Sequence, residues 1–185
     1  MTNEMLDVVD AEDALNGQAT RTDVHMHGWW HRGAHILLFD DGGRLLVQKR
    51  SADRAASPSL LDCSVSEHVQ AGEPYPEAAR RGLLEELGVE GVDLQPVVKF
   101  RMVYGPNDNE ISILFKGTVD PAIVKFDPVE IETIQWLGLD RLKALMKNRP
   151  EIFCSWFIEI MNWHWGEPSA LTVLPNPLQR ERSSL

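Results

Sequence analysis

Cysteine is scarce in this chain: Cys63 and Cys154 are the only two among 185 residues. Two thiols cannot supply a disulfide framework or a cysteine-based zinc site, so both read as reduced, structural groups. No apolar run approaches the ~20 residues that a membrane-crossing helix needs, so no membrane partner is expected. The opening "MTNEMLDVVDAED" carries acids but neither a basic n-region nor an apolar h-region, so no secretory signal is expected and the cytoplasm is the expected compartment. Positive charge is in deficit, with 18 Lys and Arg against 28 Asp and Glu, a net charge of −10. Such a balance argues against a nucleic acid polymer as partner, because phosphate contacts dominate that affinity. A small phosphorylated substrate stays compatible, since a carboxylate cluster can hold a divalent cation that inverts the local charge. Internal repeats, low-complexity segments and Ser/Gly linkers are also lacking. What remains is 43% hydrophobic, enough for a real core in one domain. A homodimer is compatible with this reading but nothing in the sequence calls for one.

"EMLDVVD" reads as a short strand turning at "AEDALNG", and "TRTDVHMHGWWHRG" as a loop or short helix. "AHILLF" and "RLLVQKR" read as two strands joined by the Gly-bearing turn "DDGG". "SADRAASPSLLDCS" is a loop. Pro76–Leu87 reads as a helix, with Pro76 in its first turn and Gly88 at its C′ position. "LQPVVKFRMVY" and "EISILFKGTV" are strand-like about the turn "GPNDN". "EIETIQWLGL" is a further strand, "LDRLKALMKN" a helix, and "PEIFCSWFIEIMNWHWG" a last amphipathic helix. Residues 1–30 are expected to be an N-terminal strand and loop elaboration packed on a main domain of 31–175, with 176–185 a mobile tail. The sum is a mixed α+β layered domain.

The chemistry concentrates in the central helix. Residues three and four apart share a helix face, so Gly82 lies on the face of Glu85 and Glu86, and Arg81 can reach Glu77 and Glu85. Ala79, Leu83 and Leu87 are spaced to meet the core. An "EE" pair alone is a solvated helix end. Carboxylates at a helix C-terminus oppose its dipole at ~0.3–1 kcal/mol, a cost that a bound cation would offset.

Glu73, Arg81, Leu83, Glu85, Glu86, Gly88 and Val89 fit the pattern G-x(5)-E-x(7)-R-E-U-x-E-E-x-G-U begun at residue 67. The chain therefore resembles the Nudix family. Two positions depart: Glu67 stands for the first glycine and Gly82 for the glutamate after the arginine. The resemblance implies an α/β/α sandwich with a mixed central sheet, and a Mg²⁺ or Mn²⁺ site acting on a small-molecule diphosphate. It further implies that Glu73 and Arg81 brace the motif loop, that Glu85 and Glu86 hold metal, and that an acid from a later strand, Glu110, joins them. A glutamate restored at position 82 is expected to add a ligand or base.

Over most of the chain the sequence also resembles isopentenyl diphosphate isomerase, itself of Nudix fold. "WWHRGAHILLFDDGGRLLVQKR" is similar to its histidine-bearing strand and hairpin, which puts His31 at a metal position. "SVSEHVQAGE" is similar to Ser-Val-Cys-Gly-His-Pro-Gln-x-Gly-Glu, which puts His68 at another. "NDNEISILF" is similar to its Glu-Asn-Glu segment, giving Asp108 and Glu110. "FCSWFIE" puts Trp156 over the substrate, and Arg50 and Arg54 fall where basic residues hold the diphosphate. For the remaining metal histidine, His25 is one residue out of register and His27 is an alternative. His35 reads as structural. Ser66 stands at the catalytic cysteine position, and a hydroxyl is a far poorer proton donor to carbon than a thiol. Cys63, three residues away, is expected to point elsewhere, as strand alternation requires.

These readings give a divalent-metal-dependent hydrolase of a diphosphate linked to another moiety. Catalysis is expected from Glu85, Glu86 and Glu110, and metal ligation from those three with His31, His68 and Asp108. Arg50, Arg54 and Trp156 are expected to bind substrate. The alternatives are an isopentenyl diphosphate isomerase, disfavoured by Ser66, and a binding module with weakened catalysis.

Overall fold

The computed structural model describes residues 4–178. Residues 179–185, most of the expected mobile tail, lie outside them. Strands β1 (Met5–Val9) and β2 (Leu15–Thr20) form an antiparallel pair, followed by the short helix α1 (Arg21–His27). The second strand lies where a turn and loop were expected, and helix α1 takes the short-helix alternative for its segment. "LNGQAT" has no apolar alternation to announce β2, and its residues are largely exposed.

Strand β3 (Trp30–Phe39) is the axis of the sheet. It runs parallel to β8 (Asp108–Thr118) from Trp30 opposite Asn109 to Phe39 opposite Thr118. Its run "AHILLF" is buried on both sides, as parallel pairing in a sheet interior demands. Ile36 and Leu38 face one core, while Leu37 faces the other. The turn after β3 closes as expected, but the hairpin then opens. Strand β4 (Leu45–Arg50) shares only the pair Phe39–Leu45 with β3 and goes on to pair with β5 (Leu61–Asp62) and β9 (Ile131–Leu137). The place beside β3 is taken by β6 (Val65–His68), antiparallel across Gly33–Ile36. Strands β7 (Gln95–Gly105) and β10 (Thr172–Leu174) complete the order β10-β7-β8-β3-β1-β2.

Helix α2 (Tyr75–Leu87) covers one face through Ala78, Ala79, Leu83 and Leu87. It ends at Gly88, whose φ of 62° is the left-handed cap that glycine supplies. Helices α3 (Leu139–Asn148) and α4 (Ser155–His164) cover the other, with Leu142, Met146, Phe157, Ile160 and Met161 against Phe100 and Leu114. The result is the α/β/α sandwich with a mixed sheet. Helix α4 starts later than expected, because residues 150–152 form a separate 3₁₀ turn. Among the described residues no helix is long and apolar enough to cross a membrane.

Candidate metal centre and its surroundings

Four elements converge on one cluster. Helix α1 brings His25, β3 brings His31, β6 brings His68, and the start of β8 brings Asp108 and Glu110. Asp108 and Glu110 are two apart on a strand and so share a face. His31 Nε2 and His68 Nε2 lie 3.6 and 3.8 Å from Glu110 Oε1, and His25 Nδ1 lies 3.5 Å from Asp108 Oδ1. The donor atoms of His25, His31 and His68 lie within 4.8 Å of one another, as do those of His31, Asp108 and Glu110.

The electrostatics suit a cation. Burial would push the Glu110 carboxyl up, but His31 beside it, with His68 and His35 behind, holds it well below the usual carboxylate range. Burial lowers His68 far below an ordinary imidazole, and burial with His31 lowers His25, so both are neutral and free to donate lone pairs near pH 7. Burial and then Glu110 raise Asp108 to about 6. His25 Nε2, His31 Nε2 and Asp108 Oδ1 are buried without a hydrogen-bond partner. Each such orphan costs ~1–3 kcal/mol, and three aimed at one cluster fit a bound divalent ion. His25 thus fills the place that the sequence left between His25 and His27. His27 instead stacks on Trp29 at 4.6 Å.

Beside the cluster lies a second polar group. Ser66 Oγ is 3.1 Å from His35 Nδ1, and His35 Nε2 is 2.9 Å from the Tyr104 hydroxyl. Contrary to the expectation for Cys63, its Sγ is 3.0 Å from Ser66 Oγ. The chain is irregular at Cys63–Ser64, between β5 and β6, so strand alternation does not carry across. The thiol is fully buried, and burial with the Asp62 charge drives it well above its normal range. Asp62 is the hub: its Oδ1 accepts from Trp156 Nε1 at 2.7 Å and Ser66 Oγ at 3.3 Å, and its Oδ2 accepts from Arg50 at 3.0 Å. Arg50 is therefore no free phosphate cation. It is buried, committed to Asp62 and the Ala56 carbonyl, with its guanidinium 5.5 Å from the Trp156 ring. Arg54 pairs with Glu130 near the surface. Asp62 and Tyr104 escaped the sequence reading. Tyr104 sits where the β7–β8 register shifts, an irregularity that often marks functional sites but leaves no pattern in sequence.

The box helix has its own geometry. Arg81 grips both oxygens of Glu73 at 2.9 Å and the His68 carbonyl at 2.8 Å, tying the loop to α2. Glu85 and Glu86 diverge. The Glu85 side chain is 56% exposed and meets Arg81 at 3.3 Å, whereas Glu86 is buried and accepts from Gln48 Nε2 at 2.9 Å. Burial and then Glu67 raise Glu86 to about 8, while burial raises Glu67 itself to about 7. Among the described residues neither Glu85 nor Glu86 belongs to a three-residue metal-type cluster. A Cβ at Gly82 would sit 2.9 Å from Val65 Cγ1 and 3.1 Å from Glu67 Cβ. The two departures from the box are thus one exchange: the glutamate at 67 lies over the glycine at 82. The helix tolerates ~1 kcal/mol of lost propensity at Gly82, because burying Leu83 and Leu87 returns ~1.5–3 kcal/mol each.

Comparison with known proteins decides the family. The NUDIX domain description matches residues 29–157, well over half of the chain. This chain is a Nudix protein. Relatives with two kinds of name are similar to it. Isopentenyl-diphosphate Delta-isomerase 2 of Photorhabdus laumondii is 35% identical over 167 residues, covering 86% of this chain and 92% of the relative. An uncharacterised Nudix hydrolase of Streptomyces coelicolor is 33% identical over 138 residues, 74% of each chain. The crystal structure of a Deinococcus radiodurans protein superposes with a TM-score of 0.73 at 28% identity, covering 86% of this chain and 98% of that one. The fold and the Nudix branch similar to the isomerases are therefore settled, and the relatives' names support an enzyme.

Proposed function

We propose that the protein is a divalent-metal-dependent hydrolase of a small-molecule diphosphate, its metal held by His25, His31, His68, Asp108 and Glu110. The observation that carries this reading is the set of three buried, unpartnered atoms, on His25, His31 and Asp108, within two donor clusters that share His31. Imidazole with carboxylate suits a transition-metal divalent ion, Mn²⁺ among them through its carboxylates, more than Mg²⁺, which prefers oxygen ligands alone. The metal, when bound, neutralises phosphate oxygens and so eases attack at phosphorus. The chain does the rest. Glu86 and Glu67, raised to about 8 and about 7, are poised to exchange a proton with water near neutral pH. Glu85 steadies Arg81 and through it the loop. Arg54, paired with Glu130 in the structure, and Arg21, whose charge reaches His25, His68 and Asp108, are the cations placed for a phosphate oxygen. The Trp156 indole, held by Asp62, supplies the apolar wall.

A second reading, allylic isomerisation, is favoured by the relatives' names and by Cys63 lying 3.0 Å behind Ser66. It is weaker because that thiol is buried and held protonated.

One experiment separates the two. A panel of nucleoside diphosphate compounds and isopentenyl diphosphate is incubated with Mn²⁺, Mg²⁺ or a chelator and followed by phosphorus and proton NMR. Metal-dependent cleavage of a phosphorus–oxygen bond in at least one compound is expected, with negligible double-bond migration. Rapid migration without cleavage establishes the isomerase, and tight retention with neither reaction establishes a binding module.

A further inference from the structure

The four residues Asn107–Glu110, "NDNE", do two jobs in alternation. Asp108 and Glu110 point into the histidine cluster. Asn109 lies on the opposite face of β8, and its Nδ2 donates to the Gly28 carbonyl at 2.7 Å. Asn107 Nδ2 donates to the Met26 carbonyl at 3.2 Å. These two carbonyls belong to the C-terminal end of α1, where backbone acceptors lack intrahelical partners. The fit is close: a Cβ at Gly28, which has a φ of 67°, would meet Asn107 Cα and Oδ1 at 3.1 Å. Asn107 itself adopts a φ of 62° after Pro106, the sequence pattern of a type II turn.

Helix α1 needs such a clamp. It has seven residues and buries only Val24, and helices this short are unstable alone. Yet it carries His25, the only cluster ligand outside the sheet. We infer that Asn109, assisted by Asn107, is a positioning residue that locks α1 onto the acid-bearing strand and thereby sets the metal affinity of the centre. One tetrapeptide supplies two of the five ligands and fixes another, His25, so metal binding and docking of α1 are coupled. This inference rests on the proposed metal centre.

The test compares wild type, Asn109→Ala, Asn107→Gly and His25→Ala as full chains, and Asn109→Ala combined with His25→Ala. Asn107→Gly keeps the turn, since glycine accepts positive φ, and removes only the amide. Mn²⁺ affinity is measured by calorimetry, amide exchange in the metal-free proteins, and melting temperature in parallel. Asn109→Ala is expected to weaken Mn²⁺ binding 10–100-fold, the usual cost of losing a group that orients a ligand. Asn107→Gly is expected to weaken it about tenfold or less. In the His25→Ala background, Asn109→Ala should add less than about threefold. The Gly28 amide, which donates to Val24 within α1, should exchange at least about tenfold faster in metal-free Asn109→Ala, with the core amides unchanged. Affinity within twofold of wild type, or losses that multiply fully in the double variant, overturns the clamp. A wild type that binds no Mn²⁺ overturns the metal centre instead, and unchanged exchange at Gly28 then overturns the clamp separately.

Discussion

Glu110→Gln should lower Mn²⁺ affinity by more than ~100-fold, beyond what outer groups usually cost, and slow diphosphate cleavage by at least ~10²-fold. Glu110 is where the cluster's charge balance resides. It is buried, lies within 3.8 Å of His31, His35 and His68, and accepts from Ser112 at 3.1 Å. Glutamine keeps the shape but cannot remain ionised, so the cluster loses the charge that balances a cation. Truncating one partner of a buried charged group costs far more than an exposed pair contributes. Glu85→Gln is the control: that side chain meets Arg81 at the surface, and its loss should change Mn²⁺ affinity by no more than about threefold. Calorimetry on the two variants checks both figures. Equal losses would return the metal to the carboxylate pair.

Gly82→Glu should destabilise the protein by roughly 3 kcal/mol, the upper range for forcing bulk into a packed site. For a chain of this size that corresponds to a fall in melting temperature of roughly 6–12 °C. The sequence alone suggests the opposite, because glutamate is the better helix former and would restore the box. The obstacle is Val65 Cγ1, 2.9 Å from a Cβ at position 82, a buried β-branched side chain with little room to turn. Glu67 occupies the remaining space and would also face a new like charge. The exchange predicts non-additivity: Glu67→Gly combined with Gly82→Glu should recover part of the lost stability, because the Glu67 Cβ and Cγ contacts at 3.1 and 3.3 Å go while the Val65 contact stays. Thermal melts of the two single variants and the double variant measure this, and a fully additive double variant would refute the exchange.

Much of the fold was legible because its signals are local. The caps of α2, the bounds of α3, the buried run of β3 and the turn that follows it all rest on periodicity, proline and glycine. Strands β2 and β10 were not legible, because both are mostly exposed and depend on partners remote in sequence. The opening of the β3–β4 hairpin was hidden for the same reason. In the site, His31, His68, Asp108 and Glu110 were marked by the resemblance to the isomerase, and the structure brings them together. His25 was ambiguous by one residue, and its approach is settled by how α1 docks. Cys63 was misjudged because the alternation argument assumes one continuous strand, whereas β5 and β6 are separate. Arg50 was expected to hold the diphosphate and is a buried ion pair with Asp62, a distinction of burial that charge patterning cannot make. Glu67 and Gly82 looked like two unrelated departures, since only the packing of β6 on α2 puts them in one space.

Histidines hold the metal in the proposed centre. The direct measurement is pulsed electron paramagnetic resonance of wild-type protein loaded with one equivalent of Mn²⁺. The account predicts nitrogen couplings from directly bound imidazole, lost or reduced in His31→Ala. A bound Mn²⁺ with oxygen ligands alone would contradict it.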